Sequence, residues 1–165
     1  MLTHNIRNPA KLGAGGTRLF SHREVQIKPS ILLRVASVLT LIFCGGHTYG
    51  ALGVASRDPE QAAVFMAMQA FPFDIMGARR THWQFYRGFS LLFSVTLLLL
   101  AVLLWQLAGL AKSDPVRARP FVASLFLAYL GFTILCGVYF FFAPAAFSAA
   151  VAVCLALAFT SARTG

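Results

Sequence analysis

Two short stretches of this 165-residue sequence carry side chains able to do chemistry in apolar surroundings: CGGHTYG at 44–50 and THWQFYRGFSLLFS at 81–94. His47 sits in the first, between glycines and inside one of the most apolar runs of the chain. Burying an ionisable group without a partner costs several kcal/mol, roughly 2–7 even for a neutral polar group. An imidazole in such a run therefore points either to a hydrogen-bond partner on another helix or to a ligand. In the second stretch Arg87 can hold a partial or full negative charge, and Ser90 and Ser94 continue a polar track at helical spacing. Trp83, Tyr86 and Tyr49 supply flat walls. His47, Arg87, Trp83, Tyr49, Tyr86, Ser90 and Ser94 thus form a candidate ligand-binding set for a small apolar molecule, a quinone or a lipid, with His47 bonded to a ligand oxygen. The same residues also fit blander roles. Arg87, Trp83 and Tyr86 suit an aromatic and basic belt at a membrane surface, and a neutral His47 suits a packing contact to a hydroxyl on a neighbouring helix.

Other chemistries lack their residues. H-E-x-x-H, G-x-S-x-G, a P-loop and a dinucleotide glycine fingerprint are all missing. Cys44, Cys136 and Cys154 are odd in number, lie in apolar runs, and have no C-x-x-C spacing, which suits small buried hydrophobes better than a disulfide framework or a zinc site. Bis-histidine haem would need two histidines at similar depth, whereas His82 opens the helix after the one holding His47. No apolar run contains Asp or Glu, against a carboxylate proton relay. No catalytic residue, metal or cofactor is predicted.

The elements that must position these residues follow from composition. The chain is 58% hydrophobic and 12% charged, with a mean hydropathy of +0.73; an ordinary soluble domain carries roughly 25% charge. A chain this short buries too little surface to hide so many apolar residues from water, so the sequence predicts an integral membrane protein. Four runs, 31–53, 85–111, 121–143 and 145–162, reach the roughly 17–20 residues that a helix needs to cross a bilayer. The predicted fold is an all-α membrane protein: a four-transmembrane-helix bundle, 31–163, after a basic N-terminal tail, 1–30. Asp58-Pro59-Glu60 starts a helix too short to span, which fits an interfacial or capping helix in the loop 54–84. Thr81 with Gln84 reads as a capping box for the second span, Asp114-Pro115 as the start signal of the third, and Pro144 as a tight turn before the fourth.

Within the first span Ser37, Thr40, Cys44 and His47 share one face, with Gly46 and Gly50 beside them as G-x-x-x-G. Such small and polar stripes normally face other helices. In the second span Trp83, Arg87, Ser90, Ser94, Ala101 and Ala108 align, and in the third Tyr129, Thr133 and Cys136. Arg34 fits a side chain snorkelling to the nearer surface.

The net charge of +9 would suggest nucleic acid in a soluble protein; here the basic residues flank apolar spans, which suits anionic headgroups instead. With four alternating spans, ten basic residues gather on the side of both termini and only Arg57, Arg79, Arg80 and Arg87 on the other. Both termini are therefore expected in the cytoplasm. Gly53-Val54-Ala55 before Ser56 has the form of a signal-peptidase site, but the leader and the apolar run before it are too long for a signal peptide, so an uncleaved span is expected.

GHTYG closing the first span and HWQFYRGFSLLFS opening the second resemble a group of small, uncharacterised bacterial four-helix membrane proteins, over most of residues 31–160. The chain is more distantly similar to DoxX-like four-helix proteins. The resemblance implies four spans and a bacterial inner membrane, and carries no site residues with it. The polar tail and the missing catalytic constellation point first to a non-catalytic accessory or structural subunit of a larger membrane complex. The alternative is a binding protein or enzyme for a quinone or lipid around His47 and Arg87. Reporter fusions check the topology: one placed after residue 70 should report the outer compartment and one at the C-terminus the cytoplasm. Opposite sidedness, or a product beginning at Ser56, overturns it.

Overall fold

The computed structural model describes residues 28–53 and 58–161. Most of the predicted basic tail, the cleavage-site residues Val54 to Ser56, Arg57 and Arg163 lie outside the described residues. Helices α1 (Pro29–Leu52), α3 (His82–Ser113), α4 (Pro115–Tyr139) and α5 (Phe142–Ser161) are each long and apolar enough to cross a membrane. A shorter helix, α2 (Pro59–Ala70), and a hairpin of β1 (Pro72–Ile75) and β2 (Ala78–Thr81) stand between α1 and α3.

Sequence signals set most of the boundaries. Pro29 and Pro59 open α1 and α2, where a missing N–H is no loss. The Asp58 carboxylate accepts from the Glu60 amide at 3.1 Å. Thr81 and Gln84 close the capping box on α3, at 3.2 Å and 3.0 Å. Asp114 ends α3 and caps α4, accepting from the Arg117 amide at 3.0 Å, so one residue forms the whole connection. α4 starts at Pro115 rather than at 121 and holds Pro120 in its second turn. The turn before α5 falls at Phe140 and Phe141 instead of at Pro144, which occupies the first turn of α5, where proline is tolerated.

The hairpin was not foreseen. Its register pairs Phe73 with Arg80 and Asp74 with Arg79. Met76 and Gly77 make the turn, both at positive φ, 47° and 81°, as a two-residue hairpin of the favoured hand requires. Asn or Gly is usual at the first of these positions; Met76 holds it fully exposed.

The four long helices form a ring in which α1 packs on α3 and α5, and α4 on α5 and, less extensively, on α3. Contacts run from Ser37 with Ala101, through Cys44 with Ser94, to His47 with Ser90, so α1 and α3 are antiparallel. The tightly packed core, including Leu33, Leu104, Val122, Val151 and Leu155, lies towards the end of the bundle where α1 begins. The outward faces are as apolar as the core: α3 exposes Leu92, Val95, Leu98, Leu99, Val102 and Trp105. At the end where α1 begins, the Arg34 guanidinium lies 5.3 Å from the Trp105 ring and that of Arg119 lies 4.6 Å from Phe159.

Thr40 and Tyr129 are both fully buried and meet at 2.7 Å across the bundle. Thr40 gives its one hydroxyl hydrogen to the Ala36 carbonyl at 2.8 Å, so Tyr129 is the donor between them. That asymmetry is testable. Tyr129→Phe should cost about 1 kcal/mol, whereas Thr40→Val strands a buried phenol and should cost about 1–3 kcal/mol. Denaturant titration of the double variant should show it more stable than Thr40→Val alone; strictly additive losses would contradict the assignment.

Candidate functional site

The polar stripe of α1 becomes a seam against α3. Ser37 Oγ donates to the Ala101 carbonyl at 2.7 Å. Cys44 Sγ donates to the Ser94 carbonyl at 3.3 Å. Thr48 Oγ1 lies 2.8 Å from Ser94 Oγ and also 2.8 Å from the Cys44 carbonyl of its own helix. His47 Nε2 closes the row, 3.0 Å from the Ser90 carbonyl. Helix carbonyls keep a second lone pair after their own ladder bond, and these side chains use them. The spacing at 37, 40, 44 and 47 made the stripe visible in the sequence; Thr48, one residue on, was missed because it follows a residue already placed on that face.

The His47 contact fixes a chemical detail. A carbonyl only accepts, so Nε2 must carry a hydrogen. In a neutral ring Nδ1 is then an acceptor, and it has no hydrogen-bond partner among the described residues. None of the four long helices contains an aspartate or glutamate, and no described carboxylate forms an ion pair with the ring.

Beside this half-buried ring the bundle holds a cavity of about 270 Å³. Phe43 and His47 of α1 and Phe93 of α3 line it on one side. Phe132, Leu135 and Cys136 of α4, with Phe140 and Pro144 around the following turn, line it on the other. Phe93 stands edge-on to His47 at 5.0 Å and to Phe132 at 5.9 Å, and Phe43 packs edge-on to Phe93 at 6.2 Å. These edge-to-face contacts build a wall of π-faces and C–H edges. Leu135 and Phe140 are exposed, so the cavity opens sideways between the end of α4 and the start of α5. Apart from His47 and the Cys136 thiol, its lining is hydrocarbon.

Ser90 and Ser94 thus meet His47 through the seam. The remaining predicted residues lie elsewhere. Trp83 stacks on Tyr86 at 5.5 Å and packs on Phe65 of α2 at 5.3 Å, joining a cluster that ties α2 to the start of α3. Tyr49 is 82% exposed. Arg87, one turn nearer the end of the bundle than Ser90, is exposed and makes no hydrogen bond or ion pair among the described residues. Phe43, Phe93, Phe132 and Phe140 form the cavity wall and were not singled out, because nothing separates them by type or spacing from the other twelve phenylalanines of the chain. Groups of three or more metal-ligating side chains are absent among the described residues.

No family model, no curated protein and no solved structure matches the chain. What the site can do is read from its own residues.

His47 could be a strut or a recognition group, and stability separates these roles. The Ser90 carbonyl also accepts from Ser94 Oγ at 3.2 Å, so removing the imidazole leaves no acceptor stranded. His47→Leu should therefore lower stability by about 1 kcal/mol or less, measured by thermal unfolding in detergent. Loss of folding would make His47 a structural strut.

Proposed function

We propose that this protein is a four-span membrane protein that holds a small apolar molecule in the cavity beside His47. Its place would be the inner membrane of a bacterium, with both termini cytoplasmic. The membrane reading rests on four helices whose outward faces are apolar along their length; water would not tolerate so much contiguous hydrocarbon surface on a small monomer. α2 and the hairpin would then cap the outer end of the bundle. Exposed Val64, Met66, Phe71 and Met76 would sit at the lipid surface, near Arg79, Arg80 and Arg87.

A single observation carries the ligand reading: a cavity of about 270 Å³, open sideways, in which His47 meets an otherwise almost wholly hydrocarbon lining. An apolar cavity of about 150 Å³ stays dry and takes up benzene, so this one has room for a substituted ring. A molecule dissolved in lipid, of the quinone or lipid class, would reach it without crossing water. His47 would bind a polar atom of that molecule, and the phenylalanines would hold its body. Arg87 would serve the headgroup region instead of the ligand. No covalent step is assigned to the site, and the cavity requires no cofactor.

One observation favours a second reading, an accessory subunit of a larger membrane complex. Gly45, Gly46 and Gly50 form an open strip on α1, with nothing described within 4 Å of where a Cβ would stand. A helix of another chain could approach closely there.

Native mass spectrometry of protein released from its own membrane distinguishes the two. The ligand reading expects the 17.9 kDa chain with a defined small apolar adduct that is lost in Cys136→Phe, which fills the cavity. A stable protein partner with no such adduct would favour the subunit reading and overturn the first.

A further inference from the structure

We infer that the cavity selects a hydroxylated aromatic ring, a phenol or hydroquinone, over the same ring bearing only acceptors. This rests on the reading that the cavity holds an apolar molecule, and it adds which polar atom that molecule must carry.

The inference follows from a commitment made outside the cavity. His47 spends its Nε2 hydrogen on the Ser90 carbonyl at 3.0 Å. A neutral ring keeps only the Nδ1 lone pair, and no described residue uses it. The imidazole therefore offers the cavity an acceptor. A ligand hydroxyl completes it; a carbonyl or ether oxygen placed there brings a second lone pair against the first. Buried polar atoms left unpaired are what make such sites discriminate.

The rest of the wall sets the remainder of the ligand. Phe93 stands edge-on to Phe43 at 6.2 Å and to Phe132 at 5.9 Å, geometry that suits a flat ring. The second polar group, Cys136, is a weak donor and acceptor. One hydroxyl on one side of the ring satisfies His47, and any alkyl substituent can leave past the exposed Leu135 and Phe140. Hydroquinones and quinones have nearly the same shape, so only this hydrogen bond separates them.

The test uses a non-redox pair, 4-propylphenol and its methyl ether, titrated into the full-length protein in detergent. The Cys136→Phe variant sets the background from partition into the micelle, with Phe132→Trp as a second filler should the first not fold. The expected result is saturable binding of both probes, with the phenol roughly tenfold tighter, about the worth of one hydrogen bond. His47→Leu should reduce the phenol to the affinity of the ether and leave the ether unchanged. His47→Asn keeps a donor for Ser90 and an acceptor for the ligand, and should restore part of the preference. Equal affinities in the wild-type protein, or a preference that survives His47→Leu, overturn the donor inference while leaving the cavity reading in place. Failure of both probes to exceed the filled-cavity background removes the cavity reading, and the inference with it.

Discussion

The architecture depends on the hydrogen-bonded seam between α1 and α3. Ser37, Cys44 and His47 would each be a liability on a helix surrounded by hydrocarbon, and all three find carbonyls or hydroxyls of a single neighbour. Apolar surfaces alone do not fix rotation, because a leucine packs acceptably on most faces of another helix. Directional bonds at Ala101, Ser94 and Ser90 do fix it. They set α1 so that Thr40 reaches Tyr129 across the bundle, and they turn the His47 ring into the wall of the cavity.

The two halves of the bundle then differ. Where α1 begins, alanines and leucines interdigitate into a dense core. Towards the hairpin end, phenylalanines replace them. Phe93 meets Phe43 and Phe132 edge to face at 6.2 Å and 5.9 Å, while Phe43 stacks on Phe147 at 5.9 Å, and Phe43, Phe93 and Phe132 line the cavity. Helix α2 and the hairpin attach to the first turns of α3 through Phe65 on Trp83 and through Phe73 on His82 and Phe85, and none of their residues lines the cavity.

Much of this was legible in the sequence, for physical reasons that also explain the gaps. Four apolar runs and the Thr81–Gln84 and Asp114–Pro115 signals gave the long helices, because length, hydropathy and capping are local properties. The stripe at 37, 40, 44 and 47 was readable because polar groups in apolar helices must find one another. Turns inside apolar sequence were harder. Phe140 and Phe141 are as hydrophobic as their surroundings, so Pro144 drew the boundary to itself although its ring fits the first turn of α5. The hairpin was hidden because FDIMGARR shows little alternation and places Met76 where asparagine is usual; Gly77 was its only mark. Within the site, the spacing put Ser90 and Ser94 on the face of α3 that meets α1, although His47 bonds the Ser90 backbone carbonyl, which any residue there would offer. Trp83 and Tyr86 were drawn instead to Phe65, a residue whose position depends on the loop between the spans.

The central claim is that the seam holds His47 as the Nε2–H form and leaves Nδ1 free as an acceptor. Nitrogen-15 NMR of the protein labelled at its histidine imidazoles, with His47→Leu used to assign the His47 signals, reads this directly. The expected result is a single tautomer, with the ring hydrogen on Nε2 and the lone pair on Nδ1. A His47 ring protonated at Nδ1 alone, or one exchanging freely between tautomers as in water, would show that Ser90 does not hold it, and the assignment of the site would fall.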